Sequence, residues 1–308
     1  MHRLNVLFVM SREVIFFHGS GETEANTLRT GVQLTGANCD VAGLDSGDFA
    51  DYESYFLFSL RKDVIDVLTK IDKNKCCVLF PQVENLDRNT CMHIMKLAGH
   101  LNKFWIVART PEEHSLYSEI FGHKKVIYID GWFLKPFIQS NETNNTIRPD
   151  IQTRPFGLAF IALDRDGGLD KFIKENLSNG IDVNVVTDKP REHAKLYDKY
   201  ENVNFVKLYR YGCENWYLLL KNAEMFFEPN SRLTCSLLES LWLGKKVVSP
   251  HYKIINKMLG GEIVDASICS SSKQIEPISK ATIKKMVFSR HANFVAYRIL
   301  NIIHYGVK

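Results

Sequence analysis

A carboxylate set one turn inside a helix, behind its unpaired N–H groups, can hold vicinal hydroxyls while the helix end receives an anion. Residues 223–250, AEMFFEPNSRLTCSLLESLWLGKKVVSP, carry that pattern. An apolar run ends at Glu228, and a turn follows at Pro229-Asn230-Ser231. Thr234 and Cys235 then open a helix whose buried face is Leu238, Leu241 and Trp242, which leaves Glu239 turned away from that face. Gly244 closes the helix, and a second apolar run begins at Val247-Val248. The chemistry this suits is recognition of a ribose beside a diphosphate. The plain alternative is a favourable charge near a helix N-terminus.

A second candidate lies near the start of the chain. The first apolar run stops at Met10, and His18-Gly19-Ser20-Gly21 precedes a helix that opens at Glu22-Thr23. Two glycines let backbone approach a ligand, and the helix end presents free N–H groups. Gly19, Ser20 and Gly21 are therefore candidate ligand-loop residues. No third glycine completes a dinucleotide fingerprint, which argues against NAD.

The elements that must position these residues alternate along the chain. Residues 4–10, 39–43, 76–80, 104–108 and 125–129 are short apolar runs rich in Val, Ile and Phe, the composition of strands buried on both faces. Between them, residues 22–34, 57–71, 87–101 and 112–121 have helical spacing. Residues 139–154 are polar, with Pro149 and Pro155 at their end, and read as a linker. A second series follows, with strands predicted at 156–163, 181–187, 203–206, 224–228, 246–250 and 262–265. Its helices are predicted at 169–177, 191–200, 214–221 and 235–243, and a long closing helix at 278–305. The expected architecture is α/β, with two Rossmann-like parallel-sheet domains, 1–150 and 151–308, facing each other across a cleft. The closing helix is assigned to the second. Ligands in such sheets bind beyond the carboxyl ends of the strands.

Composition narrows the class. At 308 residues the chain exceeds one ordinary core. No apolar stretch reaches the ~20 residues of a membrane span. The seven cysteines are odd in number and lack metal-type spacing, so reduced thiols and a cytoplasmic location (host cytoplasm for a viral chain) are expected. No bound metal and no cofactor are expected. Residues 1–150 hold 16 Lys and Arg against 19 Asp and Glu, a balance of −3; the rest hold 23 against 16, a balance of +7. Lys284, Lys285 and Arg290 fall in the most basic stretch. Such a run is either a solvated helix face or a surface for a polyanion.

The 223–250 stretch resembles the second-domain motif of retaining GT-B glycosyltransferases of family 4. That motif runs from a Pro-Ser turn through Glu-x7-Glu to a glycine-terminated helix. The resemblance implies a GT-B fold and a nucleotide-sugar donor, a UDP-sugar by expectation, with Glu239 as the ribose ligand. The first glutamate position is Ser231, so Ser231 or Glu228 would have to take its part. Weaker local patches resemble the T-even-type phage DNA α-glucosyltransferases. These are Phe8-Val9-Met10-Ser11-Arg12 with Ser20-Gly21-Glu22-Thr23, then Glu113-His114-Ser115-Leu116, then Asp164-Arg165 with Gly168 and Lys171.

By that resemblance, Arg165 with Lys171 or Lys189 would meet the charge growing on the leaving phosphate, aided by backbone N–H groups around Ser20-Gly21 and 233–235. His114 would lie on the acceptor side, although a helix-surface histidine beside Glu112 and Glu113 explains it equally well. Tyr211, in Tyr209-Arg210-Tyr211, would fall where the family places the nucleotide base. The implied acceptor is duplex DNA with hydroxymethylated bases, met by Lys284, Lys285 and Arg290. A polysaccharide, lipid or protein acceptor, and a non-catalytic nucleotide binder, remain alternatives.

Overall fold

In a computed structural model, the structure describes residues 4–10, 20–42, 52–58, 65–81, 87–134, 155–161, 168–187, 194–195, 198–200, 206–210, 216–260, 268–269, 285 and 287–305. For 20–23, 160–161, 187, 206–210, 216–218 and 268–269 the backbone alone is described. The chain divides into two compact units, residues 1–134 with 290–308, and residues 135–289.

In the first unit, β1 (Asn5–Met10), β2 (Asn38–Ala42), β3 (Ser54–Phe58), β4 (Cys76–Leu79), β5 (Lys103–Ala108) and β6 (Val126–Tyr128) form one parallel sheet in the order β2-β1-β3-β4-β5-β6. Helices α1 (Ser20–Leu34), α2 (Arg88–Ala98) and α3 (Pro111–Phe121) accompany it. Alternate strand residues Leu7, Val9, Tyr55, Leu57, Cys77, Leu79 and Ile106 bury one face against Cys91, Ile94 and Ala98 of α2 and Tyr117 of α3. The intervening positions join aromatic rings across the sheet. Phe8 stacks on Phe58 with centroids 5.7 Å apart, Phe58 on Phe80 at 4.3 Å, and Phe80 meets Trp132 edge-on at 6.0 Å.

Strand β3 differs from expectation. Residues 57–71 were predicted helical, yet Ser54–Phe58 is a fully buried strand between β1 and β4, and among the described residues helical turns run from Ile65 to Lys70. The run Tyr55-Phe56-Leu57-Phe58 favours a pleated, two-sided burial over a helix, whose opposite face would leave large rings in water.

The closing helix also departs from expectation. Here α8 (Ala292–Tyr305) starts well after residue 278 and belongs to the first unit. It packs along α1, and the contact is close enough to require a glycine. A Cβ built on Gly31 would lie 2.4 Å from the Ala292 carbonyl oxygen. Its start is fixed by the Phe133 N–H bond to Arg290 O (3.0 Å), the Ala292 N–H bond to Phe133 O (2.7 Å), and an ion pair between Arg290 and Asp130. At its other end the His304 ring meets the Ser54 hydroxyl at 3.1 Å.

In the second unit, β7 (Phe156–Ile161), β8 (Asp182–Thr187), β9 (Val206–Arg210), β10 (Met225–Phe227), β11 (Lys246–Val248) and β12 (Ile268–Cys269) form a parallel sheet in the order β12-β11-β10-β7-β8-β9. Its helices are α4 (Gly168–Ser178), α5 (Trp216–Asn222), α6 (Cys235–Trp242) and α7 (Tyr252–Met258), the last of them not predicted. Leu169, Phe172 and Ile173 of α4 bury Ala159, Val183, Val185, Met225 and Phe227. The strand predicted at 262–265 lies outside the described residues.

Cys76, Cys77, Cys91 and Cys235 are buried thiols outside any disulfide, and Cys39 is a half-buried one. Burial pushes the Cys76 thiol up to about 12, against the Ser54 hydrogen bond and the Lys103 and Lys125 charges. Burial likewise raises Cys91 to about 11. Such thiols stay protonated at neutral pH and are poor nucleophiles.

Candidate functional site

Strand order reverses once in each sheet, between β1 and β3 in the first unit and between β7 and β10 in the second. At such a point the connections leave to opposite sides and open a crevice at the carboxyl ends of the strands. In the second unit residues 228–234, which lead from β10 into α6, leave the sheet at that reversal.

The 228–234 loop is organised around a buried carboxylate. Glu228, only 2 % exposed, directly follows β10, and its N–H donates to Val248 O at 3.0 Å. Its Oε1 accepts from the Asn230 N–H (2.9 Å) and from Asn230 Nδ2 (2.7 Å), and its Oε2 accepts from the Thr234 hydroxyl. Thr234 is the N-cap of α6, and its Oγ1 also accepts from the Leu237 N–H at 3.1 Å. Burial pushes the Glu228 carboxyl up, opposed by the hydrogen bonds from Thr234 and Asn230 and by the nearby Arg232 charge. Glu239 sits half-buried in the second turn of α6, and Ser231 is exposed. Cys235 is buried and packs inward.

Helix α4 begins against the same edge. Gly168 is its first residue, and a Cβ there would meet the Phe227 ring at 3.1 Å and Pro250 Cγ at 3.7 Å. The two helices whose first turns are set at this edge are thus α4 and α6, and a helix N-terminus carries positive partial charge that favours an anion.

The predicted donor residues divide accordingly. Ser231, Thr234, Cys235 and Glu239 are brought together on one loop and helix. The Thr234 hydroxyl is given to the cap and to Glu228. Lys171 lies on the exposed face of α4, with its Nζ 3.8 Å from Glu175 Oε1 one turn away. Arg165, Lys189, Tyr211 and Gly19 lie outside the described residues. Ser20 and Gly21 are the first two residues of α1, which opens two residues earlier than predicted. Arg232, which was not singled out from the sequence, is a half-buried cation within the loop; its signal was its position just before the helix cap.

In the first unit, His114 lies in the first turns of α3, capped by Thr110, whose Oγ1 accepts from the Glu113 N–H at 3.2 Å. The His114 ring packs edge-on against Tyr128 at 5.6 Å and His123 at 5.3 Å. Burial raises the Tyr128 phenol, helped by Asp130 and opposed by Arg290. A buried ion pair missed by sequence reasoning stands at the same sheet edge. Arg109 follows β5, pairs with Glu24 of α1, and lies 4.5 Å over the Trp132 ring. Trp132 Nε1 in turn donates to the Glu24 carbonyl at 3.1 Å.

Of the predicted polyanion contacts, Lys285 is exposed and Lys284 lies outside the described residues. Arg290 belongs to the first unit, and its guanidinium pairs with Asp130, with Nε 3.2 Å from Oδ1. Among the described residues, no group of three or more His, Cys, Asp and Glu side chains could hold a metal ion, and no helix is long and apolar enough to cross a membrane.

No family model matches the sequence, and no curated protein matches it. Solved structures do. The chain is similar to AviGT4, a glycosyltransferase involved in avilamycin A biosynthesis, at 11% identity and a TM-score of 0.59, over 96% of each chain. It is similar to HepE of Anabaena, solved in complex with UDP and glucose, at 12% identity and a TM-score of 0.54, over 96% of this chain and 95% of that one. It is also similar to the glycosyltransferase SnogD from Streptomyces nogalater, at 8% identity and a TM-score of 0.50, over 97% and 99%. Two parallel α/β sheets and these matches over nearly the whole length make the fold GT-B.

Proposed function

We propose that this chain is a glycosyltransferase that takes a nucleotide sugar, UDP-glucose in the most specific form of the reading, at the carboxyl edge of the second sheet. The observation that carries the reading is the 228–239 segment at the β7/β10 reversal. There a carboxylate-braced loop, a capped helix and Glu239 follow one another at the edge where nucleotides bind in open α/β sheets. The GT-B fold supports it, and so does the UDP and glucose in the structure of HepE.

In this mechanism Glu239 holds the ribose hydroxyls, and the N–H groups at the start of α6 face the diphosphate. As the glycosidic bond breaks, its electron pair goes to the leaving phosphate oxygen. Arg165 and a lysine, Lys171 or Lys189, meet that charge where it develops. The acceptor hydroxyl bonds to the anomeric carbon, and the leaving phosphate takes its proton, with retention of configuration. In the same reading His114 would serve the acceptor, Tyr211 the nucleotide base, and Ser20 and Gly21 the donor sugar. No resident metal or cofactor enters this scheme.

Glu239→Gln is expected to weaken UDP binding by about 1.5–3 kcal/mol, the range for a hydrogen bond to a charged group. Calorimetry on the two proteins checks this, and equal affinities would remove Glu239 from the site.

For the acceptor the reading is duplex DNA carrying hydroxymethylated bases: the +7 balance of residues 151–308, which reach into both units, and the exposed Lys285 support a polyanion, and the modified base comes from the resemblance alone. Phosphate contacts release counterions, so such transfer falls steeply with salt. Labelled donor with hydroxymethylcytosine DNA, against unmodified DNA, tests it; no label on the modified DNA while the donor is being cleaved would send the search to saccharide, lipid or protein hydroxyls.

A further inference from the structure

Within residues 228–234 the polar side chain of Glu228 is closed to solvent and bonded to the rest of the loop. Glu228 directly follows β10 and spans the loop from both sides, taking Asn230 on Oε1 and Thr234 on Oε2. These contacts fix the loop at two points, one just after the Pro229 turn and one at the helix cap. Between them lie Ser231, Arg232 and Leu233, of which Ser231 is exposed, Arg232 half-buried and Leu233 buried. The loop is therefore pinned at its ends and inward at Leu233, while Ser231 and Arg232 remain toward solvent. The Thr234 hydroxyl also accepts from the Leu237 N–H, so the same carboxylate orients the cap that begins α6. A buried carboxylate is costly unless its oxygens are satisfied, and here both are spent on one loop.

We propose that Glu228 is the positioning residue of the donor loop. Without touching the ligand, it sets the backbone of residues 229–234 and the first turn of α6 in the arrangement that receives a nucleoside diphosphate. This rests on reading the second unit as the donor domain.

The role needs an acceptor at Oε1 and a partner for the Thr234 hydroxyl at Oε2, and it does not need a charge. Glutamine supplies both. Its carbonyl accepts from Asn230, and its amide donates to Thr234 Oγ1, whose second lone pair still accepts from Leu237. Alanine supplies neither.

The test compares the full chain with Glu228→Ala and Glu228→Gln, using UDP as the probe in calorimetry and amide hydrogen exchange in the unliganded proteins. Glu228→Ala is expected to raise the Kd for UDP about tenfold or more, and Glu228→Gln to stay within about threefold of the parent. Exchange at Asn230 and Leu237 should quicken about tenfold in Glu228→Ala, with β8 amides unchanged, and remain slow in Glu228→Gln. Parental affinity and exchange in Glu228→Ala would overturn the proposal. So would a glutamine variant as impaired as the alanine one, or exchange that quickens across the whole sheet. Should Glu228→Ala fail to fold, Thr234→Ala and Asn230→Ala carry the test, with Thr234→Ser as the rescue. Each alanine is then expected to raise the Kd at least about threefold, and no change in either overturns the claim. A parent protein that binds no UDP refutes the donor-domain reading. The exchange of Asn230 and Leu237 would still decide the loop claim.

Discussion

Replacing Arg109 by methionine is expected to destabilise the first unit by about 3–5 kcal/mol, because it leaves the Glu24 carboxylate without its charge partner in a nearly closed site. The Arg109 side chain is 4% exposed and that of Glu24 14%. The guanidinium also lies 4.5 Å over Trp132, whose indole is tied to the Glu24 carbonyl, so one substitution loosens three contacts. Removing both charges together should behave differently. Glu24→Leu with Arg109→Met buries no lone ion, and such replacements of buried pairs are often neutral or better. Hydrogen exchange of β5 and α1 amides isolates the first unit from the second. A loss below about 1 kcal/mol in the single variant would mean that the pair is better hydrated than this geometry allows.

Gly31→Ala is expected to destabilise rather than help. Inside an exposed helix the change would gain about 1 kcal/mol. Here the new methyl would stand 2.4 Å from the Ala292 oxygen and 2.6 Å from its carbonyl carbon, and both are backbone atoms that no rotamer change can move. Helix α8 must shift away from α1, at about 1–3 kcal/mol for an overpacked contact. Faster exchange or earlier proteolysis in residues 292–305 would report it. A stabilised variant would show that α8 does not lie against α1 at this point.

Much of the fold was legible because parallel strands buried on both faces leave uninterrupted apolar runs. Residues 4–10, 104–108 and 156–163 each declared a strand that the structure contains within a few residues. Strand β3 was hidden because its aromatic run continues into Leu60, Val64 and Ile65, and together these imitate helical spacing. The closing helix was assigned to the wrong unit for another reason. Its partners, Gly31, Ser54 and Phe133, are far away in sequence, and the glycine that admits it resembles any other helix glycine.

In the candidate site, the N-cap at Thr234 and the helix that carries Glu239 were readable from local spacing alone. The place of that helix at a strand-order reversal was not, since it depends on β10 pairing with β7 across the intervening strands. Nor was the Arg109–Glu24 pair, whose members are 85 residues apart. The partner of Arg290 was hidden in the same way, since Asp130 lies 160 residues away in sequence.

The most direct test of the central claim is release of nucleoside diphosphate from candidate nucleotide sugars by the purified full chain, UDP-glucose first. Nucleotide-sugar-dependent glycosyl transfer predicts that one donor is cleaved catalytically, at a rate that rises when an acceptor is supplied and falls in Glu239→Gln. Tight binding of a nucleotide sugar with no turnover, under any acceptor, would contradict the account and make the chain a GT-B fold used only for binding.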